Sequence, residues 1–349
     1  MQYLNKKEEN IDVIDVIDLI NNEQLNEIND KKITIRKRPK GPEITLPRYV
    51  YLDSDLAWSI GFFIAEGNKV YSGIGISNRE IELIIKFKEC IEKSFGIQNE
   101  KWRLYVKTPN KDLKKVRERW IRKLKISHTV ANFVSNARQD ILEIRINNTL
   151  FSIIFNALVN GALSKIIEDR VLLTNFLDGY EVGDGSVLQR KGYLYGICIT
   201  VKDPFMKDFL VTAFKRLYNY QAPIRRTKGS YEILVRGIHM MTKIILDRHF
   251  ESSKRQWRKL IRCYLRKQYT RSHIRYWRTI TNNPMPINKI AKQTKRSHWS
   301  VRDALNIDTE LGLVDRKRVQ VRDMMAPYFN FYCMSNRGQE LIKVLENNI

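Results

Sequence analysis

Two acidic residues, Glu66 and Asp184, stand at matching places in two similar apolar segments. The segments read WSIGFFIAEGN at 58–68 and LDGYEVGDGSV at 177–187. The apolar spacing predicts a helix before each acid, and the following glycine, Gly67 or Gly185, suits a left-handed helix end. The helix dipole disfavours a carboxylate at a C-terminus, so its recurrence indicates a compensating cation. Paired acids that hold a divalent cation are suited to phosphodiester hydrolysis. In the alternative interpretation each acid only ends a turn.

The elements that must position the acids are the two helices. Their small residues, Gly61, Ala65, Gly179 and Gly183, would let them pack closely and bring the acids together. A cation there would be bound by the two carboxylates and by backbone carbonyls, for which Ala65 and Gly183 are the candidates.

The two segments belong to an internal repeat. Residues 142–165 and 231–254 align without gaps, and both end in Ser-Lys. The acids are 118 positions apart and the Ser-Lys pairs 89, so the first copy has about 29 extra residues. The very basic stretch 107–125 is the predicted insertion.

SIGFFIAEG and LDGYEVGDG resemble the two LAGLIDADG motifs of single-chain homing endonucleases, over roughly residues 52–258. The resemblance implies an α+β fold in which two αββαββα halves pack through the motif helices, with a pseudo-twofold saddle of antiparallel sheets over the DNA. It implies that Glu66 and Asp184 bind Mg²⁺ or Mn²⁺. It also implies that Lys165 and Lys254 polarise the attacking water or stabilise the developing charge. In the alternative, these two are ordinary surface lysines.

Two features depart from the family pattern. Glu181 stands where the family has an apolar or aromatic residue. Facing the partner helix it would be an expensive buried charge, and facing outward it would be harmless. The chain starts with Met-Gln and ends with Asn-Asn-Ile, without the splicing ends of an intein, so a free-standing protein is expected.

The charge of the chain favours a nucleic-acid partner. It has 62 Lys and Arg against 38 Asp and Glu, a net charge of +24, and counterion release favours cations that reach phosphates. The predicted DNA-reading surface is formed by outward residues of strands at 71–77, 102–107, 193–200 and 231–236. The candidate DNA contacts are Lys107, Arg145, Arg225, Arg226 and Arg236. Since the two halves differ in sequence, a long, asymmetric double-stranded DNA target is expected.

The C-terminal part, from residue 259, is a third predicted unit. INKIAKQ, TKRS and HWSVRDALNIDTELGLV read as helix, turn and helix, followed by a hairpin and a last helix, which is the order of a winged helix-turn-helix. The predicted core contains Ile287, Ile290, Ala291, Val301, Ala304 and Leu305. The predicted DNA-facing residues are Lys292, Lys295, Arg296, His298, Trp299 and Arg302. A protein-binding or structural role is the alternative.

Four domains are therefore expected. They are an N-terminal extension (1–51), the first half (52–170), the second half (171–258) and the winged helix-turn-helix (259–349). Within the extension, IDVIDVIDLI (11–20) predicts a short amphipathic helix, and the basic stretch 31–41 predicts a linker or arm.

Other classes of protein are disfavoured. The longest apolar run, Leu150–Leu163, is too short to cross a bilayer, and the acidic N-terminus is no secretory signal. The four cysteines lack metal-ligand or disulfide spacing, which fits a reducing, cytoplasmic setting. With both halves in one chain, a monomer is expected. Two other functions stay open: a non-cleaving DNA-binding transcription regulator on this scaffold, and an RNA intron maturase.

Overall fold

The structure is a computed structural model that describes residues 12–19, 25–28, 30–36, 43–67, 73–266, 268–281, 283–320 and 328–347. The described residues form twelve α-helices and sixteen strands, so the predicted α+β class is confirmed. The chain divides into two compact units. Unit 1 comprises Met1–Gly185 with Phe250–Ser253, and unit 2 comprises Ser186–His249 with Lys254–Ile349.

Unit 1 holds the first half of the repeat and the first helix of the second half. Its strands are β1 (Asp12–Asp15), β2 (Leu25–Ile28), β3 (Lys32–Arg36), β4 (Glu43–Pro47), β5 (Tyr49–Leu52), β6 (Ile74–Asn78), β7 (Trp102–Thr108), β8 (His128–Phe133) and β9 (Ile141–Ile146). Its helices are α1 (Ser54–Glu66), α2 (Ile81–Phe95), α3 (Leu113–Leu124), α4 (Thr149–Ile166) and α5 (Arg170–Asp184).

The N-terminal part of unit 1 is built from strands, so the helix predicted over 11–20 is wrong. β1 pairs antiparallel with β5, and one turn of 3-10 helix, Val16–Leu19, follows β1. The Asp15 carboxylate accepts the Ile17 N–H at 3.0 Å and so fixes the start of this turn.

The basic run 31–41, predicted as a linker, is a strand as far as Arg36. β3 lies between β2 and β4, and the side chains of Ile33 and Ile35 are buried. This alternation is that of a half-buried strand, and the basic residues around it obscure it in the sequence. The rest of the run lies outside the described residues.

The main sheet of unit 1 has the strand order β6-β9-β7-β8. β9 pairs antiparallel with β6 and β7, but β7 and β8 run parallel. The prediction of a purely antiparallel sheet is therefore wrong for unit 1. The insertion at 107–125 accounts for the difference. Most of it is α3, which supplies the long crossover that parallel neighbours need.

α4 extends beyond the predicted apolar run at both ends. Among the described helices, it alone has the length and hydropathy of a possible membrane span. Its buried side chains pack inside unit 1 and contact α5 and β6, as those of a core helix do.

Unit 2 holds the rest of the second half and the C-terminal elements. Its strands are β10 (Gly185–Arg190), β11 (Tyr193–Val201), β12 (Ile224–Thr227), β13 (Ser230–Arg236), β14 (Met285–Pro286), β15 (Val314–Gln320) and β16 (Tyr328–Met334). Its helices are α6 (Pro204–Tyr218), α7 (Ile238–Leu246), α8 (Lys254–Leu265), α9 (Gln268–Ile280), α10 (Ile287–Thr294), α11 (His298–Glu310) and α12 (Asn336–Glu346). The run from α5 to α7 has the predicted αββαββα order, and its sheet has the strand order β10-β11-β13-β12.

Strand register corrects the gapless alignment of the two copies. Gly75 of β6 pairs with Arg145 of β9, and Gly196 of β11 pairs with Arg236 of β13. In each pair a methyl group on the glycine would meet the arginine Cγ, at 2.7 and 2.9 Å. The matching arginines are 91 positions apart rather than 89, so the connection from strand to helix differs in length between the copies.

The C-terminal elements follow the predicted order of helix, turn, helix, hairpin and helix. Residues 295–297 separate α10 from α11, β15 pairs antiparallel with β16, and α12 follows. Five of the predicted core residues are buried, namely Ile287, Ile290, Val301, Ala304 and Leu305. Ala291 is only half-buried, at the edge of this core.

α1 and α5 pack against each other backbone to backbone. A methyl group on Gly61 would clash with the carbonyl oxygen of Phe176, and one on Gly179 would clash with that of Trp58. The contact is reciprocal, because both pairs of positions are 118 residues apart. The small residues at these places therefore do let the two helices pack closely, as their spacing predicts.

We expect Gly61→Ala and Gly179→Ala each to destabilise the fold by about 3 kcal/mol or more, because backbone atoms cannot move aside as a side chain can. Gly161→Ala, in α4, is the matched control, since no atom lies within 4 Å of its added methyl group. It should be neutral or stabilise the protein by up to about 1 kcal/mol. Chemical denaturation measures all three, and equal effects at positions 61 and 161 would contradict the close contact.

Candidate active site and nucleic-acid interface

Glu66 and Asp184 are the last residues of α1 and α5. Each helix starts at an aspartate cap: Asp53 and Asp169 accept backbone N–H groups three residues on, at 2.9 and 2.8 Å. Asparagine and aspartate are preferred at this position because they satisfy N–H groups that the helix leaves unpaired. Both helices thus begin with an aspartate N-cap and end with a carboxylate side chain.

The packing of the two helices brings the four predicted site residues together. A methyl group on Gly183 would lie 2.6 Å from the Ala65 Cβ and 3.0 Å from the Glu66 Cγ. The Glu66 side chain therefore lies across Gly183, next to Asp184. Any larger residue at position 183 would push the Glu66 side chain away from this place.

The glycines after the acids do not adopt the predicted left-handed conformation. Gly67 has φ −68° and Gly185 has φ −89°, both in the extended region. Glycine is required for lack of space: a Cβ at position 67 would clash with the carbonyl oxygen of Phe63, and one at position 185 with that of Glu181. The backbone N–H of each glycine donates to that same oxygen. The chain leaves each helix across its own last turn, and a side chain would not fit there.

The two acids have different surroundings. Glu66 is half-buried and Asp184 is exposed. The pKa of Glu66 rises from 4.5 to about 7, first because burial disfavours its charge and second because Asp184 repels it. A cation between the two carboxylates would reverse the second effect.

Asn78, the last residue of β6, is a site residue that sequence reasoning missed. Its Nδ2 donates to the Glu66 Oε1 at 3.1 Å, which counteracts the rise in pKa by favouring the carboxylate. Its Oδ1 accepts the Glu80 N–H at 2.9 Å, which fixes the amide. A polar residue at the end of an apolar strand was the available signal. It is weak, because such residues are common at strand ends.

The candidate metal ligands at this site are all oxygen atoms. No three His, Cys, Asp or Glu side chains gather around a common point within the described ranges, so side chains alone would leave a cation under-coordinated. Two carboxylates with carbonyl oxygens, water and phosphate oxygens make a donor set that suits Mg²⁺ and Mn²⁺, which keep several exchangeable ligands. The residues present fit such an ion.

Glu181 is fully buried in α5, so the harmless outward orientation is wrong. The matching residue of α1 is Phe63, whose ring packs edge-on against Phe155 at 4.9 Å. A carboxyl therefore replaces an aromatic side chain in the second motif helix. Nearby on α5, Asp178 is also buried and accepts a hydrogen bond from the Ser252 hydroxyl.

The two lysines of the Ser-Lys pairs have different local structures. Lys165 lies in the last turn of α4, and its Nζ pairs with Asp12 at 3.0 Å. Lys254 begins α8 after the turn that follows α7. The ion pair of Lys165 thus connects it to the N-terminal strand rather than to the acids.

The predicted DNA contacts of unit 1 share one buried acid. The Nζ of Lys107 lies 3.6 Å from Glu143, and Arg145 forms an ion pair with the same carboxylate. The Arg145 guanidinium also lies 5.2 Å from the centre of the Tyr105 ring. These contacts hold both cations on the outer side of the sheet.

The predicted contacts of unit 2 do not all share one face. Arg225 and Arg226 are neighbours on β12, so their side chains point to opposite sides of the sheet. Arg225 donates to Glu232 of β13 at 2.8 Å, and Arg236 stacks on Tyr195 at 4.5 Å. At most one of the two adjacent arginines can lie on the same face as Arg236.

The C-terminal candidates are exposed around the start of α11. Trp299 is 64% exposed, and the Arg302 guanidinium lies 4.0 Å from its ring centre. Lys295 and Arg296 are exposed in the turn before the helix. The predicted surface residues Lys292 and His298 are exposed as well. This end of α11 therefore combines positive charge with an exposed aromatic ring.

No known protein family and no curated protein matches the chain. Several solved structures are similar to it, and three of them are described here. The N-terminal LAGLIDADG domain of DUF199/WhiA is 12% identical, with a TM-score of 0.36, over 56% of this chain and 83% of that one. Full-length DUF199/WhiA from Thermatoga maritima is 13% identical, with a TM-score of 0.37, over 74% and 92%. I-DmoI in complex with DNA and Ca is 12% identical, with a TM-score of 0.32, over 58% and 96%. These scores are too low to transfer an activity or a site residue to this chain.

We expect Glu66→Gln to stabilise the protein when no divalent cation is present. Since the pKa of Glu66 is raised on folding, the folded wild type loses stability as pH rises from about 4.5 to 7. The gain should be about 1–2 kcal/mol above neutral pH, after allowing for partial exposure, and should vanish in acid. Mg²⁺ should stabilise only the wild type. Glu89→Gln on α2 is the control, and an equal, pH-independent gain there would contradict this account.

Asn78→Ala should raise the pKa of Glu66 further, because it removes the hydrogen bond that favours the carboxylate. Divalent-cation affinity needs the ionised acid, so its midpoint in a pH titration should move to higher pH. Calorimetric titration with Mn²⁺ across neutral pH measures the shift. Asn132→Ala, which removes an exposed amide from β8, should leave the midpoint in place.

Proposed function

We propose that the protein is a metal-dependent, site-specific endonuclease of double-stranded DNA, of the LAGLIDADG homing type. One observation carries the proposal: carboxyls from matching ends of two tightly packed helices share a site, and the pKa of Glu66 is raised to about 7 beside Asp184. Two carboxylates held together in this way favour a divalent cation. The net charge of +24 favours a nucleic acid as substrate.

Glu66 and Asp184 would hold Mg²⁺ or Mn²⁺ with the carbonyl oxygens of Ala65 and Gly183. The ion, when bound, supplies charge that activates water and stabilises the leaving oxygen of the phosphodiester. The residues have distinct tasks. Glu66 must give up its proton before it can bind the ion, and exposed Asp184 is open to an incoming phosphate.

Lys165 and Lys254 have a supporting role in this proposal, which is to stabilise negative charge at the phosphate. Lys165 must first leave Asp12. Both side chains of that ion pair are more than 40% exposed, so breaking it costs only about 1 kcal/mol or less.

The outer residues of the two four-stranded sheets would contact the DNA, with Lys107, Arg145 and Arg236 foremost. The two sheets present different side chains, so we propose a long and asymmetric target. The C-terminal elements would form a winged helix-turn-helix that adds DNA contacts through α11, whose exposed Trp299 and nearby Arg296 suit a nucleic-acid surface.

The second candidate is a DNA-binding regulator that does not cut. The observation in its favour is that, among the described residues, no third acid joins the two carboxylates of the site, and Glu66 is half-protonated near neutral pH. The DNA-contacting residues would serve such a protein equally well. Cleavage, and not binding, therefore decides between the two candidates.

The test is to incubate the protein with a randomised duplex library and Mg²⁺ or Mn²⁺, and to sequence the cut ends. We expect cleavage of both strands at one long site. Glu66→Gln and Asp184→Asn should each lower the cleavage rate by about a hundredfold or more while binding persists.

Glu89→Gln, which removes an exposed acid from α2, is the control and should cut normally. Specific binding without cleavage by the wild type would favour the regulator. Full activity of Glu66→Gln would contradict the site. Selective binding of a structured RNA over every duplex would instead favour an intron maturase.

A further inference from the structure

A polar pocket lies at the edge of the main sheet of unit 1. Arg103 and Tyr105 of β7, Arg117 of α3 and residues 127–130 at the start of β8 line it. The lining offers two guanidinium groups, a tyrosine hydroxyl, Ser127 and His128, and it contains no acid. This is the donor chemistry that binds a phosphate group.

The positive charge of this pocket is uncompensated. On the same strand, Lys107 pairs with Glu143, and Arg145 on the neighbouring strand pairs with the same acid. Arg103 lies directly opposite Arg145 in the sheet. In the part of the chain that the structure describes, Arg103 and Arg117 make no ion pair. An anion that enters the pocket therefore meets two unpaired guanidinium groups.

Arg117 is presented by a firmly anchored helix. The Asp112 carboxylate caps the start of α3 by accepting the Lys115 N–H at 3.0 Å. The Trp120 Nε1 donates to Asp140 at 2.7 Å, and the Thr108 hydroxyl donates to the same aspartate at 2.7 Å. Asp140, which precedes β9, therefore connects α3 to the end of β7. A cation held on such a helix loses little freedom when it binds an anion.

The second half of the repeat, all of which the structure describes, has no helix at the matching place. There β12 connects directly to β13 through a tight turn at Lys228 and Gly229, whereas α3 and β8 lie between the matching strands β7 and β9. The pocket thus belongs to the first half alone. Whatever it binds breaks the symmetry of the two copies.

We propose that this pocket binds a backbone phosphate of the DNA next to the bases contacted by the first sheet. This proposal rests on the DNA binding proposed above. A phosphate contact positions the duplex without reading its sequence, so the pocket extends the footprint on one side of the target only. In this proposal α3 contacts the DNA backbone and does not contact bases.

The test uses the full-length protein and its selected duplex. Phosphate ethylation interference should reveal one or two more critical phosphates on the side of the first half than on the other side. Arg117→Gln should lose that interference, weaken binding about tenfold and lower the salt slope by about one. Arg103→Gln should act on the same phosphate. Lys114→Gln removes an equal charge from the same helix outside the pocket, and it should leave the interference pattern unchanged.

A duplex with a neutral methylphosphonate at that position separates DNA backbone from free phosphate as the ligand. The wild type should lose affinity for it, whereas Arg117→Gln should bind both duplexes equally. Unchanged interference and salt slope in Arg117→Gln, with specific binding intact, would overturn the pocket proposal alone. Failure of the wild type to bind any duplex would overturn the proposed function and this inference together.

Discussion

The backbone contact between α1 and α5 is the constraint on which the rest of unit 1 depends. Gly61 lies against the carbonyl of Phe176, and Gly179 against that of Trp58, so the two helix axes cannot be further apart or differently offset without losing both contacts. Each acid follows its crossing glycine by five residues, at the same end of its helix. The crossing therefore brings the two carboxyls close enough for Asp184 to raise the pKa of Glu66. Their repulsion is a consequence of how the two helices pack.

The helix pair is close to symmetric, but the ends of the helices are not. Glu66 is half-buried and receives a hydrogen bond from Asn78, whereas Asp184 is exposed. When strands are matched by their glycine–arginine pairs, the position of Asn78 corresponds to Ile199 in the second half. The pKa of Glu66 therefore rises, first through burial and second through repulsion by Asp184, while Asp184 itself is exposed to solvent. Such a difference lets two chemically similar groups take different parts in one reaction.

The sequence was informative where structure depends on short-range pattern. The helix pair, its small residues and the meeting of Glu66 with Asp184 followed from local spacing and from the repeat. Features set by distant pairing were missed. Residues 12–19 form a strand and a 3-10 turn rather than the predicted helix because β5 pairs with the strand. Gly67 is required by a close approach to Phe63 rather than by its φ angle. Asn78 reaches the site only because β6 returns beside α1, and no local pattern encodes that return.

In the proposed DNA complex, the ion pairs of the sheets would distinguish the residues that contact DNA directly from those that attract it from a distance. Glu143 neutralises part of the charge of Lys107 and Arg145 and fixes their orientation. A paired arginine attracts DNA weakly from a distance but is already oriented for hydrogen bonding, and it can exchange its carboxylate for a base or phosphate on contact. The unpaired Arg103 and Arg117 have the opposite properties, with stronger long-range attraction at the rim of the same sheet. Arg117, which the insertion supplies, thus adds positive charge next to the paired cations of the sheet.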